Sequence, residues 1–245
     1  MREITLIGLG KMGSNMTLRL LEKGYRVNVY DQDKKAIQKF SQAALTLKGL
    51  KDIEKIDRPR VVWVMVPHQA ASSLILEISE YLSEGDILID GGNSFFKDSI
   101  NLYHELKKKD INFLDVGVSG GPAGARNGAC LMVGGELEIY ERCKPLFKVL
   151  AKKNGYRYVG SSGSGHFVKM IHNAIEYGMM QSIAEGFSLM KHSSFDLDLK
   201  VIAELFNNGS VIESKLVGWL SEAYHQYGQN LKEVTGTVGH SGEVE

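Results

Sequence analysis

Lys169, His172, Asn173, Glu176 and Tyr177 fall in the segment GSGHFVKMIHNAIEYG, Gly163 to Gly178, at steps of three, four, seven and eight residues from the lysine. On an α-helix those steps return to one face, so five polar side chains point the same way. Phe167, Val168, Met170, Ile171 and Ile175 take the other positions, the pattern of a helix buried between other elements. A buried helix has no structural use for an amine, an imidazole and a carboxyl together, because each is costly to bury without a partner or ligand. The face therefore reads as a site for proton transfer and ligand binding. A solvated face with an ordinary Lys/Glu pair is the alternative.

The first half of the chain supplies what such a site would act with. Ile4 to Ile7 is an apolar strand run that leads into Gly8-Leu9-Gly10-Lys11-Met12-Gly13. A helical pattern follows to Gly24, then a second strand, Arg26 to Tyr30, ends on Asp31. Strand, GxGxxG, helix, strand and acidic residue, with Asp31 lying 18 residues beyond Gly13, is the dinucleotide-binding fingerprint. Gly8 allows the tight turn, Gly10 lets a pyrophosphate approach the backbone, and Gly13 lets helix and sheet pack closely. The phosphates would rest at the positive end of the helix. Asp31 suits ribose hydroxyls and would repel a 2′-phosphate. No arginine follows it in Asp31-Gln32-Asp33, so NAD is favoured over NADP.

The alternation continues through Val61 to Val66 with Pro67, a helix near Ala70 to Leu82, and Ile87 to Asp90 with Gly91-Gly92-Asn93-Ser94. A further helix to about Lys109 and a strand from Ile111 to Val116 follow. This predicts a parallel, doubly wound sheet with ligands beyond the carboxyl ends of the strands, at Met65-Val66-Pro67, Gly91 to Ser94 and Val118 to Pro122. After the glycine-rich joint Gly160 to Gly163 only helices are expected, about Gly165 to Lys191, Leu197 to Asn207 and Val211 to Tyr227. The first would be roughly 40 Å long, enough to cross from one domain into another. The fold class is thus α/β: a Rossmann-type domain over residues 1–160, then an all-α domain over 161–245.

Composition excludes several classes of partner. Lys+Arg and Asp+Glu balance at 29 each, so neither nucleic acid nor an anionic membrane is expected as a general partner. Cys130 and Cys143 offer neither a disulfide framework nor metal-ligand spacing. Apolar runs are too short to span a bilayer and no leader pattern opens the chain, so a cytoplasmic location without a metal is expected.

The motifs GLGKMGSNM, Gly91 to Ser99 (GGNSFFKDS), Asp115 to Gly135 (DVGVSGGPAGARNGACLMVGG) and HFVKMIHNAIEYG together resemble the β-hydroxyacid dehydrogenases, and within them the 6-phosphogluconate dehydrogenase family. Asp31 makes the chain most similar to the short bacterial branch that uses NAD. The resemblance implies oxidation of C3 of 6-phosphogluconate, hydride transfer to the nicotinamide, and loss of CO2 to give ribulose 5-phosphate. It assigns the base to Lys169 and the acid to Glu176. A free lysine is almost fully protonated near neutrality, so a lysine base needs a desolvated pocket or neighbouring cations. Asn93, Ser119, Gly120, Gly121, His172 and Asn173 would hold the substrate carboxylate and hydroxyls, and Tyr177 would meet the phosphate. Gly8, Leu9, Gly10, Lys11, Met12, Gly13, Asp31, Met65, Val66, Pro67 and Asn93 would hold the cofactor. A homodimer or larger homo-oligomer is implied.

Two departures qualify the resemblance. Glu213 stands where long members carry a phosphate-binding arginine, and a carboxylate there repels a dianion; Lys215 is the nearest replacement. Thr235 to Glu245 (TGTVGHSGEVE) resembles a glycine-rich loop that precedes further helices in the family, so the chain reads as C-terminally truncated. An unphosphorylated β-hydroxyacid as substrate, and an inactive NAD-binding protein, are the alternatives these features raise.

Overall fold

The computed structural model describes residues 2–234. Its elements run β1 (Glu3–Ile7), α1 (Lys11–Glu22), β2 (Arg26–Tyr30), α2 (Lys34–Gln38), β3 (Leu45–Thr46), a 3₁₀ turn (Leu50–Lys55), β4 (Val61–Val64), α3 (His68–Ser79), β5 (Ile87–Asp90) and α4 (Phe96–Lys107). They continue with β6 (Asn112–Ser119), α5 (Gly121–Asn127), β7 (Ala129–Gly135), α6 (Leu137–Leu150), β8 (Ala151–Gly160), α7 (Ser164–Lys191), α8 (Leu199–Phe206) and α9 (Lys215–Tyr227).

The strands form one sheet in the order β3-β2-β1-β4-β5-β6-β7-β8. Strands β4 and β5 are apolar up to Asp90 and buried at every position, as central parallel strands covered on both faces must be. One face packs Leu6, Trp63, Leu114 and Val116 against Met16 and Leu20 of α1 and Leu146 and Phe147 of α6. The other packs Ile7, Val62, Leu88 and Phe113 against Ile75 and Ile78 of α3 and Leu102 and Leu106 of α4. This is the doubly wound sheet the sequence predicts, with one correction. Strand β7 runs antiparallel to β6, because only α5 and its flanking glycines join them and a parallel crossover needs a longer connection. The alternation of the sequence does not reveal β7, β8, α5 or α6. Strand β8 carries Lys152, Lys153, Asn154 and Gly155, whose polarity and glycine hide an edge strand.

The chain divides into two compact units inside α7, between Met170 and Ile171. In the second unit, Phe187 of α7 packs with Leu199 and Ala203 of α8 and Tyr224 of α9. Asp198 caps α8 through the Lys200 and Val201 N–H groups, and Ser214 caps α9 through the Val217 N–H. The last predicted helix therefore begins at Lys215 instead of Val211. The segment Thr235 to Glu245 lies outside the described residues. Among the described residues no helix is long and apolar enough to cross a membrane.

Helix α7 corrects the sequence pattern. Phe167, Met170, Ile171 and Ile175 are 41–59% exposed within the single chain, whereas His166, Lys169 and Asn173 are at most 6% exposed. The first turn lies against the strands at Gly165, where a Cβ would lie 2.3 Å from the Asp115 carbonyl oxygen, and that approach buries His166 and Lys169.

The two cysteines differ in the same physical way. Burial pushes the Cys143 thiol up to about 12, while Cys130 on β7 is exposed. An aromatic disulfide reagent applied to the folded protein at mildly alkaline pH is expected to titrate Cys130 alone. Cys143 should react only after denaturant is added.

Candidate active site

The carboxyl ends of β1, β4, β5 and β6 form one continuous edge, built by close backbone approaches. Gly8 has φ +94°, and a Cβ there would lie 2.4 Å from the Met65 carbonyl oxygen. A Cβ on Gly13 would lie 1.9 Å from the Gly8 carbonyl oxygen, and one on Gly92 would lie 2.9 Å from that of Val66. The loops Gly8 to Gly13, Met65 to Pro67 and Gly91 to Ser94 are thereby brought together. Asp31 Oδ2 accepts the Leu9 N–H at 2.5 Å and its Oδ1 accepts the Asp33 N–H at 2.8 Å. The acidic residue that sequence reads as a ribose acceptor thus also fastens the glycine loop to the end of β2.

Gly10 behaves differently from its neighbours. Its φ of −63° suits any residue, and an added Cβ would meet nothing within 4 Å. The protein's own packing does not require glycine there; a dinucleotide pyrophosphate at the N-terminus of α1 would. Lys11 and Met12 open that helix. Beside Asn93, Asp90 Oδ1 accepts the Gly92 N–H at 3.0 Å, while Asp90 Oδ2 and Ser94 Oγ are buried without a hydrogen-bond partner among the described residues. Orphaned polar atoms in a cradle of glycines fit a polar ligand.

Strand β6 lies next to β5 in parallel register, with Asp90 opposite Asp115. Leu114, Val116 and Val118 of β6 enter one core, so Asp115, Gly117 and Ser119 share the other face. Helix α7 starts against that face. Asp115 is fully buried, and its Oδ1 and Oδ2 accept the Gly163 and His166 N–H groups at 2.7 and 3.0 Å. One turn on, the root of Lys169 fills the space a Gly117 side chain would need, since a Cβ there would lie 2.5 Å from Lys169 Cβ. Lys169 is thus buried over β6 at Gly117, two residues before Ser119 ends the strand.

Asn173, His172, Glu176 and Tyr177 follow along α7 within the second unit. Asn173 is 5% exposed, and its Oδ1 lies 3.2 Å from His172 Nδ1, which is itself 3.6 Å from Glu176 Oε2. Glu213 Oε2 accepts the Gly209 N–H at 2.8 Å, closing the turn before α9, and the Lys215 ammonium lies over the Trp219 ring. Among the described residues, no group of three or more His, Cys, Asp or Glu side chains could hold a metal ion.

A family model described as the NAD binding domain of 6-phosphogluconate dehydrogenase matches residues 3–160, and one described as the C-terminal domain of 6-phosphogluconate dehydrogenase matches residues 165–194. The chain belongs to the 6-phosphogluconate dehydrogenase family. It is an oxidoreductase-family member with an NAD-binding domain. It is 44% identical to the YqeC protein of Bacillus subtilis over 98% of this chain and 82% of that one. It is 36% identical to the NAD(+)-dependent, decarboxylating 6-phosphogluconate dehydrogenase of Haloferax volcanii, over 95% of this chain and 78% of the relative. The Plasmodium falciparum 6-phosphogluconate dehydrogenase structure aligns with a TM-score of 0.82 at 34% identity, covering 90% of this chain and 50% of that one.

Sequence reasoning missed Asp115, Gly117, Ser99 and His166, which fix where α7 begins. The one legible signal was alternation: a carboxylate, a glycine and a serine at every second position of β6, matched by small residues opening α7. Gly10→Ala supplies the test of the cofactor cradle. The variant is expected to unfold at the wild-type temperature yet bind NADH roughly tenfold or more weakly by calorimetry. Equal affinity would remove the pyrophosphate from Gly10.

Proposed function

We propose that this 6-phosphogluconate dehydrogenase family member oxidises and decarboxylates 6-phosphogluconate to ribulose 5-phosphate and CO2, with NAD as hydride acceptor. The observation that carries the reading is a buried lysine, Lys169, rooted on Gly117 beside the loops at the carboxyl end of the sheet. The activity for which the Haloferax volcanii relative is named supports the reaction class and the choice of NAD. On this reading residues 1–160 are the NAD-binding domain and 161–245 the helical substrate domain, assembled as a homodimer or larger homo-oligomer.

When bound, NAD supplies the acceptor for the C3 hydride, with its pyrophosphate on Gly8 to Gly13 and its adenosine ribose at Asp31. Lys169 takes the C3 hydroxyl proton as the C3–H electron pair leaves, and C3 becomes a ketone. The resulting ammonium donates to the C3 oxygen while the C1–C2 bond breaks, releasing CO2 and moving its electron pair into an enediol. Glu176 protonates the carbon that becomes C1 of ribulose 5-phosphate while Lys169 takes back the proton of the neighbouring enediol hydroxyl, which becomes the C2 ketone. Asn93, Ser119, Gly120, Gly121, His172 and Asn173 orient the carboxylate and hydroxyls, and Tyr177 meets the phosphate.

A second reading, an unphosphorylated β-hydroxyacid, is favoured by one observation. Glu213 is committed to the Gly209 N–H and places a carboxylate where an arginine would suit a phosphate dianion.

Purified protein given 6-phosphogluconate and NAD is expected to form NADH and CO2 in equal amounts. Lys169→Ala is expected to lose ~10²–10⁴-fold in kcat while binding NADH as the wild type does. Turnover that survives the substitution would remove Lys169 as the base. Faster oxidation of gluconate than of 6-phosphogluconate would favour the second reading.

A further inference from the structure

We infer that His166, together with Ser99, is a positioning residue for Lys169. The inference rests on the proposed role of Lys169 and assigns no contact with substrate to either residue. His166 is 2% exposed and Ser99 is fully buried. His166 Nδ1 lies 2.7 Å from Ser99 Oγ, and Nε2 is buried without a hydrogen-bond partner among the described residues. An imidazole in such a place is expensive when a leucine would fill the volume. What the imidazole adds is a directed bond, which fixes the rotation of one helix against another.

The two helices are those that a dehydrogenase site would need to register. Helix α4 begins directly after the Gly91 to Ser94 loop that carries Asn93, and Ser99 lies in its first turn. Helix α7 carries Lys169 one turn beyond His166. The bond is reinforced on both sides. Ser162 Oγ donates to the Ser99 carbonyl at 3.4 Å, and the Phe96 and Phe167 rings meet edge to face at 5.2 Å. The backbone N–H of His166 is held by Asp115, so the same residue is tied to β6 through its main chain and to α4 through its side chain. Rotation of α7 about its axis would swing Lys169 away from Gly117. Catalytic alignment is sensitive on this scale, since a displacement of about 1 Å can cost ~10²-fold in rate.

Ser99→Ala removes one oxygen and leaves the imidazole volume filled. His166→Asn retains a polar atom near the Nδ1 position. In the full chain, at a temperature where it is fully folded, Ser99→Ala is expected to lower kcat by roughly 10–10²-fold while leaving the NADH dissociation constant unchanged, with the unfolding midpoint lowered by the loss of one buried hydrogen bond. His166→Asn alone should retain most of kcat. Added to Ser99→Ala it should change kcat no further, the non-additivity expected of a bonded pair. Acylation of Lys169 by acetic anhydride, read by mass spectrometry against surface lysines, should change in rate in Ser99→Ala. A kcat that falls only in step with NADH affinity or stability, or an unchanged acylation rate, would overturn the positioning role. A wild type that oxidises no aldonate would remove the proposed function instead, and the acylation rate would still decide the role of His166.

Discussion

The first turn of α7 lies almost backbone to backbone on β6 and β7, and the placement of Lys169 follows from that contact. A Cβ on Gly165 would lie 2.3 Å from the Asp115 carbonyl oxygen and 2.6 Å from that of Met132. On Gly134 it would lie 2.6 Å from the Gly165 nitrogen. Packing this close leaves the first N–H groups of the helix facing the sheet, away from water, where each would otherwise be orphaned. Asp115 resolves this by taking two of them on one buried carboxylate. Hydrogen bonds to a charged group contribute about 1.5–3 kcal/mol each, and the carboxylate also opposes the positive end of a 28-residue helix. The fully buried charge and the buried helix start each satisfy the other.

The cofactor edge is assembled on the same principle, with small residues allowing loops to touch and carboxylates tying down free N–H groups. Asp31 at the end of β2 holds Leu9, Asp90 at the end of β5 holds Gly92, and Asp115 within β6 holds the start of α7. Gly8 and Gly13 are required by the protein's own backbone, whereas Gly10 leaves its surroundings open. The fingerprint therefore separates into two glycines that the fold requires and one, Gly10, that it does not. Site residues that belong to the first unit share the carboxyl edge of one sheet, and those on the later turns of α7 belong to the second.

Much of this was legible from residue order. The strand, glycine loop, helix and acidic residue of the first 31 positions specify their structure locally, because turn, dipole and close packing all act over a few residues. The polar face of α7 was legible for the same reason, as helical spacing is a local property. The exposure of its apolar side was not. Phe167 and Met170 look like core by type, yet their exposure depends on which face of the first turns meets β6, and that is set by Gly117 some fifty positions earlier. The antiparallel β7 and the polar edge strand β8 were hidden because pairing, not periodicity, defines them. His166 and Ser99 are separated by 67 residues, and nothing in either neighbourhood announces the other.

The most direct measurement of the central claim is steady-state kinetics of Gly117→Ala with NADH affinity measured in parallel. The added methyl would press on Lys169 Cβ at 2.5 Å and on the Gly165 carbonyl oxygen at 2.8 Å, so its nearest neighbours all belong to α7. If close approach of α7 to β6 places Lys169, the proposed base, kcat collapses by ~10²-fold or more while NADH binds as in the wild type. Wild-type turnover from Gly117→Ala would contradict the account.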